Sequence, residues 1–540
     1  MVCEKIEEAV REALATLGAE DVFFVVERPR DMRHGDYATN AALMAKVDAN
    51  DLAAKLNIDG VEKVEVVGKF INFFLSREAI QKEVKSAASD PLWGRTSLYG
   101  SKTVMVEYTD PNPFKEFHIG HLMSNAIGES IARLLEYSGA AMVRANYQGD
   151  VGLHVAKAMW GKMQKPSAHW GEAYVYGSEQ YDTHKQDIDE INKKVYEKSD
   201  EEINKLYDEG RTTSLEHFEA LYKMLGTKFD TYFFESEATP LGTAIVTDNP
   251  ELFVESDGAR VFRGEEEGLH TRVFLTSQGL PTYEAKELGL LKLKSAIDLD
   301  TSISITANEQ SEYFKVVLAA AAHITELKRI AAKTMHISHG MMRFADSKMS
   351  SRKGNVITGE SLLKDLTKAA RGREDVAVGA IKYTVLKSSS GKDIIFDPVR
   401  SLSLAGDSGP YVQYALVRAR ALLRKAKNLG ASEALGAVEV GKTWPSGPER
   451  RLLPLQERNV LERLLIHFPA AVARAAQEME PHYVVTYLTE LASLFNSWYA
   501  AERVIVDGTV ADHALDLVRA VEQTLTKGLW VLGIPAPEEM

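Results

Sequence analysis

Between Val104 and Gly139 the hydrophobic pattern changes period within one short stretch. Val104, Met105 and Val106 form a continuous apolar run, as a strand buried on both faces does. Leu122, Ala126, Ile131, Leu134 and Leu135 then recur at helical spacing up to Ser138-Gly139. Between them lies Thr109-Asp110-Pro111-Asn112-Pro113-Phe114-Lys115-Glu116-Phe117, whose prolines forbid regular structure. The stretch therefore predicts a strand, a tight turn and a helix opened by His118-Ile119-Gly120-His121. Met142 to Ala145 supplies a second strand, completing a right-handed βαβ unit, and Tyr147 to His154 makes another strand-to-helix turn.

The rest of the pattern divides the chain. Residues 1 to about 95 predict a small α+β module: a helix from Glu4 to Leu17, a strand from Val22 to Val26, a polar loop, a helix, and strands at Val61 to Val67 and Phe70 to Leu75. Residues 96–360 carry the parallel-sheet pattern, interrupted at about 160–228 by a polar helical insertion. Strands follow at Phe229 to Ser236, Ala259 to Phe262, Thr271 to Thr276 and Ser302 to Thr306. Residues 361–540 are almost wholly helical, with stripes such as Val484, Leu488, Leu491, Phe495 and Trp498 that read as core packing. The fold class is thus α/β, a doubly wound sheet with an α+β module before it and an all-α domain after it.

Composition narrows the class. A chain of 540 residues with 45% hydrophobic content can bury several cores. No apolar run approaches the roughly 20 residues of a membrane span, and the N-terminus predicts a charged amphipathic helix rather than a signal peptide, so a cytoplasmic protein away from membranes is expected. The single cysteine, Cys3, excludes an intrachain disulfide and a Cys-based structural zinc. A net charge of −13 argues against indiscriminate nucleic-acid binding, though not against local basic patches.

Candidate chemistry gathers at loops and helix starts. His118 and His121 stand where a helix leaves the carboxyl end of a strand, and the unpaired N–H groups and positive dipole end there suit a phosphate chain. Both imidazoles share one face, and Gly120 leaves room for a flat base. A simple capping pair is the plainer alternative. Downstream, Lys348-Met349-Ser350-Ser351-Arg352-Lys353-Gly354 concentrates cations in a Gly-containing loop, as a phosphate clamp requires, or as any solvated loop does. Arg28, Arg30 and Arg33 precede Tyr37, taken as an exposed aromatic, in a loop able to hold bases and phosphates or merely to connect two elements. Glu235 ends an apolar run where it could meet a substrate ammonium. Tyr283 and Glu287, four apart on a helix, and Gln310 beyond a strand's carboxyl end suit a planar guanidinium, with an ordinary helix face as the alternative. Tyr411, Tyr414 and Arg418, on a helix continuing through Arg420, Arg424, Lys425 and Lys427, offer a basic stacking surface for single-stranded RNA.

The His118-Ile119-Gly120-His121 and Lys348-Met349-Ser350-Ser351-Arg352 stretches together resemble the HIGH and KMSKS signatures of class I aminoacyl-tRNA synthetases. HGDYAT at 34–39, FINFFLS at 70–76, GAIKY at 379–383, DIIFD at 393–397, GPYVQYA at 409–415 and the ending GIPAPEEM resemble the arginyl-tRNA synthetase family specifically, over essentially the whole chain. The resemblance implies a Rossmann-like catalytic domain, an N-terminal tRNA-binding module and a C-terminal anticodon-binding domain. It implies an arginine–tRNA ligase, a cytoplasmic monomer that uses L-arginine, ATP with Mg²⁺, and tRNA(Arg), with no metal site of its own. By the same resemblance His118, Gly120, His121, Lys348, Met349, Ser350, Ser351 and Arg352 face ATP, with Lys115 a further catalytic cation. Asn112 and Glu235 hold the arginine backbone, while Tyr283, Glu287 and Gln310 surround its guanidinium. Arg28, Arg30, Arg33 and Tyr37 face tRNA, as do Tyr411, Tyr414, Arg418 and Met540.

Three positions depart from the family pattern. Ser351 replaces the second lysine of the KMSKS-like loop, Glu287 replaces the usual aspartate, and Leu416 replaces a histidine. A class I synthetase for glutamate, glutamine, cysteine or lysine, or a non-catalytic RNA-binding relative, are the rival readings. The cysteine enzyme is disfavoured because Cys3 alone cannot build its zinc site.

Overall fold

The computed structural model describes residues 2–345, 357–428, 455–501, 505–506, 509–510 and 512–540. At its centre lies a five-stranded sheet in the order Thr334–His339, Thr301–Ala307, Thr103–Glu107, Ala141–Gln148, Thr231–Phe234. All four pairings are parallel. Val104 and Val106 face one hydrophobic core, shared with helix Ile119–Tyr137, and Met105 faces a second on the opposite side. That two-sided burial is why the strand reads as an unbroken apolar run. The strand Thr103–Glu107 comes first along the sheet but lies in its middle, so the order reverses beside it and opens a crevice at the carboxyl ends.

Helices Glu235–Asp248 and Tyr283–Ser295 pack backbone to backbone on the second core. A Cβ on Gly242 would stand 1.8 Å from the Ala285 carbonyl oxygen, and one on Gly289 would stand 2.0 Å from that of Ala238. Only glycine permits this approach, which fixes the side chains at the two helix starts relative to each other. The expected insertion is four helices, Leu153–Gln164, Trp170–Glu179, Lys185–Glu197 and Glu201–Leu225, with its own core around Phe114, Trp160, Trp170 and Ile188. Val254–Ser256 adds a third strand to the expected antiparallel pair Ala259–Phe262 and Arg272–Leu275. Its three residues are too short to show alternation.

The N-terminal module is an antiparallel four-stranded sheet with helices Val2–Thr16 and Arg77–Ser89. Its first strand is shorter than the apolar run suggests: only Val26–Glu27 joins the ladder. Val25 bonds side chains instead, its N–H donating to Asn40 Oδ1 at 3.0 Å and its carbonyl accepting from Thr39 Oγ1 at 2.8 Å.

The module docks onto the C-terminal helices. Arg28 pairs bidentately with Glu490 at 2.7 and 2.6 Å, Arg77 bonds Glu462, and Arg463 joins Asp36 and the Met32 carbonyl. Tyr37, expected exposed, is only 3% accessible and meets His467 edge-on at 4.8 Å. The docking that buries it comes from residues more than 400 positions away, which no local pattern announces. In the C-terminal domain the stripe Val484, Leu488, Leu491, Phe495 and Trp498 is core, as its period predicts.

Candidate active site

The turn after Thr103–Glu107 is held in strained backbone. Thr109, Asp110 and Phe114 have φ of 80°, 44° and 68°, which L-residues rarely adopt. The surroundings over-determine them. Thr109 N–H donates to Ser124 Oγ at 2.9 Å, Asp110 Oδ1 accepts from Tyr147 N–H at 2.8 Å, and Phe114 N–H donates to Ser214 Oγ at 2.9 Å. Phe114 also packs edge-on against Trp170 at 5.1 Å, so the helical insertion braces the turn.

His118 caps helix Ile119–Tyr137 and His121 occupies its third position. The two form a reciprocal cap: His118 N–H donates to His121 Nδ1 at 3.2 Å, and His121 N–H to His118 Nδ1 at 3.4 Å. Their rings stack with centroids 3.4 Å apart. A ring nitrogen that accepts is unprotonated, so each neutral imidazole carries its proton on Nε2. Burial, then the neighbouring charges of His118 and Lys115, holds His121 well below the usual imidazole range, and His118 is lowered by partial burial and Lys115. The structure shows the capping pair, and capping fixes the tautomer in which each Nε2 is the donor. A Cβ on Gly120 would press on the His118 ring at 3.0 Å. Lys115 stands near enough to depress both histidines, its Nζ 5.0 Å from the centroid of the Tyr174 ring.

Lys348, Met349, Ser350, Ser351 and Arg352 lie outside the described residues. The chain beyond them returns directly to the signature turn: Thr358 bridges His118, and Gly359 N–H donates to the Phe117 carbonyl at 2.8 Å.

Asn112 and Glu235 meet over Gly149. A Cβ there would lie 2.4 Å from Asn112 Oδ1 and 3.3 Å from the Glu235 carboxyl carbon. The Gly149 carbonyl is bonded by His154 Nε2 at 2.8 Å. Glu235 is buried and accepts from Lys286 Nζ at 2.7 Å. Beside it, wholly buried Asp150 accepts from Ser236 N–H and Oγ, each at 2.8 Å, and from Tyr207 and Arg211 at 3.0 Å, tying the insertion to the start of the Glu235 helix.

Of the three expected guanidinium partners, Glu287 is buried at 6% accessibility, whereas Tyr283 is 69% accessible and Gln310 is exposed at the start of helix Ser311–His323. That helix carries Tyr313, whose hydroxyl reaches both the Tyr283 carbonyl and Glu287. Burial pushes the Glu287 carboxyl up to about 7, against the pull of Lys294 and with the push of Glu107. Tyr147 also turns inward. Its hydroxyl is buried without a hydrogen-bond partner among the described residues, and after burial the charges of Glu235 and Glu287 raise its pKa most. Sequence reasoning missed Tyr147, Tyr313 and Lys286. The alternation of strand Ala141–Gln148 could have flagged Tyr147, but the other two sit on helices whose periodicity shows only packing.

In the C-terminal helices, Arg418 lies 4.4 Å from the Tyr414 ring centroid and 5.2 Å from that of Tyr499, bonding Asn496 at 2.8 Å. Tyr411 and Tyr414 are half-buried. Arg420 and Arg424, expected as free basic surface, instead bond the carbonyls of the C-terminal tail that ends at Met540. Leu416, at the departing position, is core.

Residues 84–397 match the model of the catalytic domain of class I arginyl (R) tRNA synthetases, 412–540 that of the DALR anticodon binding domain, and 4–75 that of the arginyl tRNA synthetase N-terminal domain. The chain belongs to the arginyl-tRNA synthetase family. The arginine–tRNA ligase of Clostridium perfringens is 30% identical over 582 residues, covering 100% of this chain and 99% of its own. That of Limosilactobacillus fermentum is 30% identical over 576 residues, 99% of both chains. The Thermus thermophilus arginyl-tRNA synthetase superposes over 100% of both chains with a TM-score of 0.80 at 26% identity. The Plasmodium falciparum enzyme shares the fold, with a TM-score of 0.75 at 19% identity over 100% of this chain and 99% of its own. As an arginyl-tRNA synthetase, the protein is a class I ligase that uses ATP to attach arginine to tRNA(Arg), and the rival amino acids and the non-catalytic reading fall away. No helix among the described residues is long and apolar enough to cross a membrane.

Proposed function

We propose that activation takes place in the crevice between the signature helix and the Glu235 and Tyr283 helices. ATP, as its Mg²⁺ complex, lays its phosphates on the Nε2–H donors of His118 and His121. Adenine lies along Gly120, and Lys115 and the segment Lys348, Met349, Ser350, Ser351 and Arg352 reach the triphosphate. Asn112 and Glu235 take the α-ammonium of arginine. Glu287 takes the guanidinium, with Tyr283 and Gln310 at the rim.

A carboxylate oxygen of arginine then attacks the α-phosphorus, the bond to pyrophosphate breaks, and arginyl-adenylate forms. Donors aimed at the phosphoryl oxygens stabilise the charge that builds there more than they stabilise bound ATP. The terminal ribose hydroxyl of tRNA next attacks the acyl carbon and AMP leaves. The observation that carries this assignment is the reciprocal cap, which leaves the Nε2–H of each ring as the donor, with Lys115 near enough to act electrostatically on both histidines and on Glu235.

In this reading residues 1–95, 96–360 and 361–540 are the tRNA-binding, catalytic and anticodon-binding parts of a cytoplasmic monomer that does not engage membranes. Arg30 and Arg33 are the tRNA-facing cations of the first part, since Arg28 and Tyr37 are engaged with the C-terminal helices, whereas Arg33, though paired with its neighbour Asp31, stays exposed. Tyr411, Tyr414, Arg418 and Met540 face the anticodon stem-loop. Arginine-dependent pyrophosphate exchange, with and without tRNA, tests the site in His121→Ala, Glu235→Gln and Glu287→Gln. Exchange should fall in all three, and exchange at the wild-type rate and arginine KM in any of them removes that residue from the site.

A further inference from the structure

We infer that Lys286 is a substrate-binding residue whose ammonium exchanges Glu235 for the α-carboxylate of arginine as the α-ammonium takes its place on Glu235. The inference rests on the reading of Asn112 and Glu235 as the ammonium subsite. Lys286 and Glu235 are both buried, and their 2.7 Å ion pair stands at the point where Asn112 and Glu235 converge over Gly149. The pair spans the two helices locked together at Gly242 and Gly289, so neither partner can withdraw far.

A buried ion pair is a weak device for stability, because desolvating both charges offsets most of their attraction. Its placement in the pocket gives it another use. An ammonium arriving at Glu235 with Lys286 still there would put two cations on one desolvated carboxylate. Asp150, the next acid, already accepts from Ser236, Tyr207 and Arg211. Arginine brings its own solution: its carboxylate shares a carbon with its ammonium. One internal pair thus becomes two pairs across the interface, with no buried charge left over. Burial works to lower the Lys286 pKa, but Glu235 and Tyr196 more than offset it, so the group stays an ammonium at neutral pH. The 5.4 Å gap to the Tyr283 ring centroid leaves a second surface along which the head group can move.

This arrangement recognises a zwitterion. Agmatine, which is arginine without its carboxylate, can offer the ammonium and the guanidinium but strands Lys286.

The test is equilibrium titration of L-arginine and of agmatine into the full chain by calorimetry. The proteins are wild type, Lys286→Met, Lys286→Gln, Lys286→Arg and Glu235→Gln. Wild type should prefer arginine by about 30-fold or more, as expected for a buried charge left unpaired. In Lys286→Gln and Lys286→Met the preference should collapse to within about threefold, with arginine weaker and agmatine tighter than in wild type. Lys286→Arg should keep most of the preference. An unchanged preference in the neutral variants, or a parallel loss of both ligands, overturns the inference. If neither neutral variant folds, wild type decides, because equal affinity for the two ligands rejects a carboxylate partner. Glu235→Gln separates this inference from the reading beneath it. Unchanged affinities there would displace the ammonium subsite itself, whereas a loss there with an intact preference in the Lys286 variants rejects Lys286 alone.

Discussion

The hydroxyl of Tyr313 and the carboxylate of Glu287 meet 3.4 Å apart, with the same hydroxyl 3.0 Å from the Tyr283 carbonyl. Lys294, two turns further along the Glu287 helix, is wholly buried and divided between Glu107 at 2.9 Å and Ser304 at 3.2 Å. Among the described residues Glu287 therefore has no cation of its own, and burial dominates its titration.

Arginine binding should consequently depend on pH. With the carboxyl pushed up to about 7, a proton competes with the guanidinium below that pH. The affinity should be level above about pH 8 and fall by about tenfold per unit below about pH 6. Titrations of arginine across that range check it, and in Glu287→Gln both the slope and most of the affinity should vanish. A flat profile in wild type would mean that the guanidinium binds elsewhere.

Gly149→Ala should weaken arginine binding by about 10- to 100-fold, since overpacking costs about 1–3 kcal/mol when neighbours must shift. The new methyl would begin 2.4 Å from Asn112 Oδ1. The variant should still fold and still bind ATP, which nucleotide titration and thermal unfolding would show. An arginine affinity within about twofold of wild type would mean that this point of convergence is not used.

The signature turn is legible in sequence because its causes are local: prolines, a change of period, and two histidines three apart. The two-sided sheet is legible for the same reason, Val104, Met105 and Val106 needing a core on each face. Tyr37 misleads because its environment is set by His467, and Arg28 because Glu490 lies on a helix made much later in the chain. Lys286 is silent for a different reason. Its neighbours Tyr283 and Glu287 announce a polar helix face, but only the close packing at Gly242 and Gly289 sets Lys286 and Glu287, though not Tyr283, inward.

Arg28 and Arg30 should separate in experiment. Arg30→Ala and Arg33→Ala, at exposed positions, should weaken tRNA binding and lower the salt slope by roughly one each. Arg28→Ala should leave the slope nearly unchanged and lower the unfolding midpoint, because it breaks the half-buried pair with Glu490. Filter-binding against salt and denaturant titration read the two effects. An Arg30→Ala, Arg33→Ala double variant with the wild-type slope would remove that loop from the tRNA surface.

Lys115→Ala should slow arginyl-adenylate formation by about 10² to 10³, the cost of losing one cation from a partly dehydrated phosphoryl site. Arginine affinity should change far less. Ser351→Lys in that background should recover part of the rate if both positions serve the same phosphates. Single-turnover activation with tRNA present measures all three. A rate within about threefold of wild type for Lys115→Ala would leave the lysine as no more than a partner of Tyr174.

The docking of the N-terminal module has a consequence for how the chain is made. Asp36 and Tyr37 are completed by Arg463 and His467, and Trp93 by Thr524, whose hydroxyl it bonds at 3.1 Å. Ribosomes add roughly 5–20 residues per second, so tens of seconds separate the synthesis of these partners. Until then the nascent module must keep in water a face that the finished enzyme keeps dry. Its four-stranded sheet, closed by pairings made wholly within residues 26–75, gives it the means to wait.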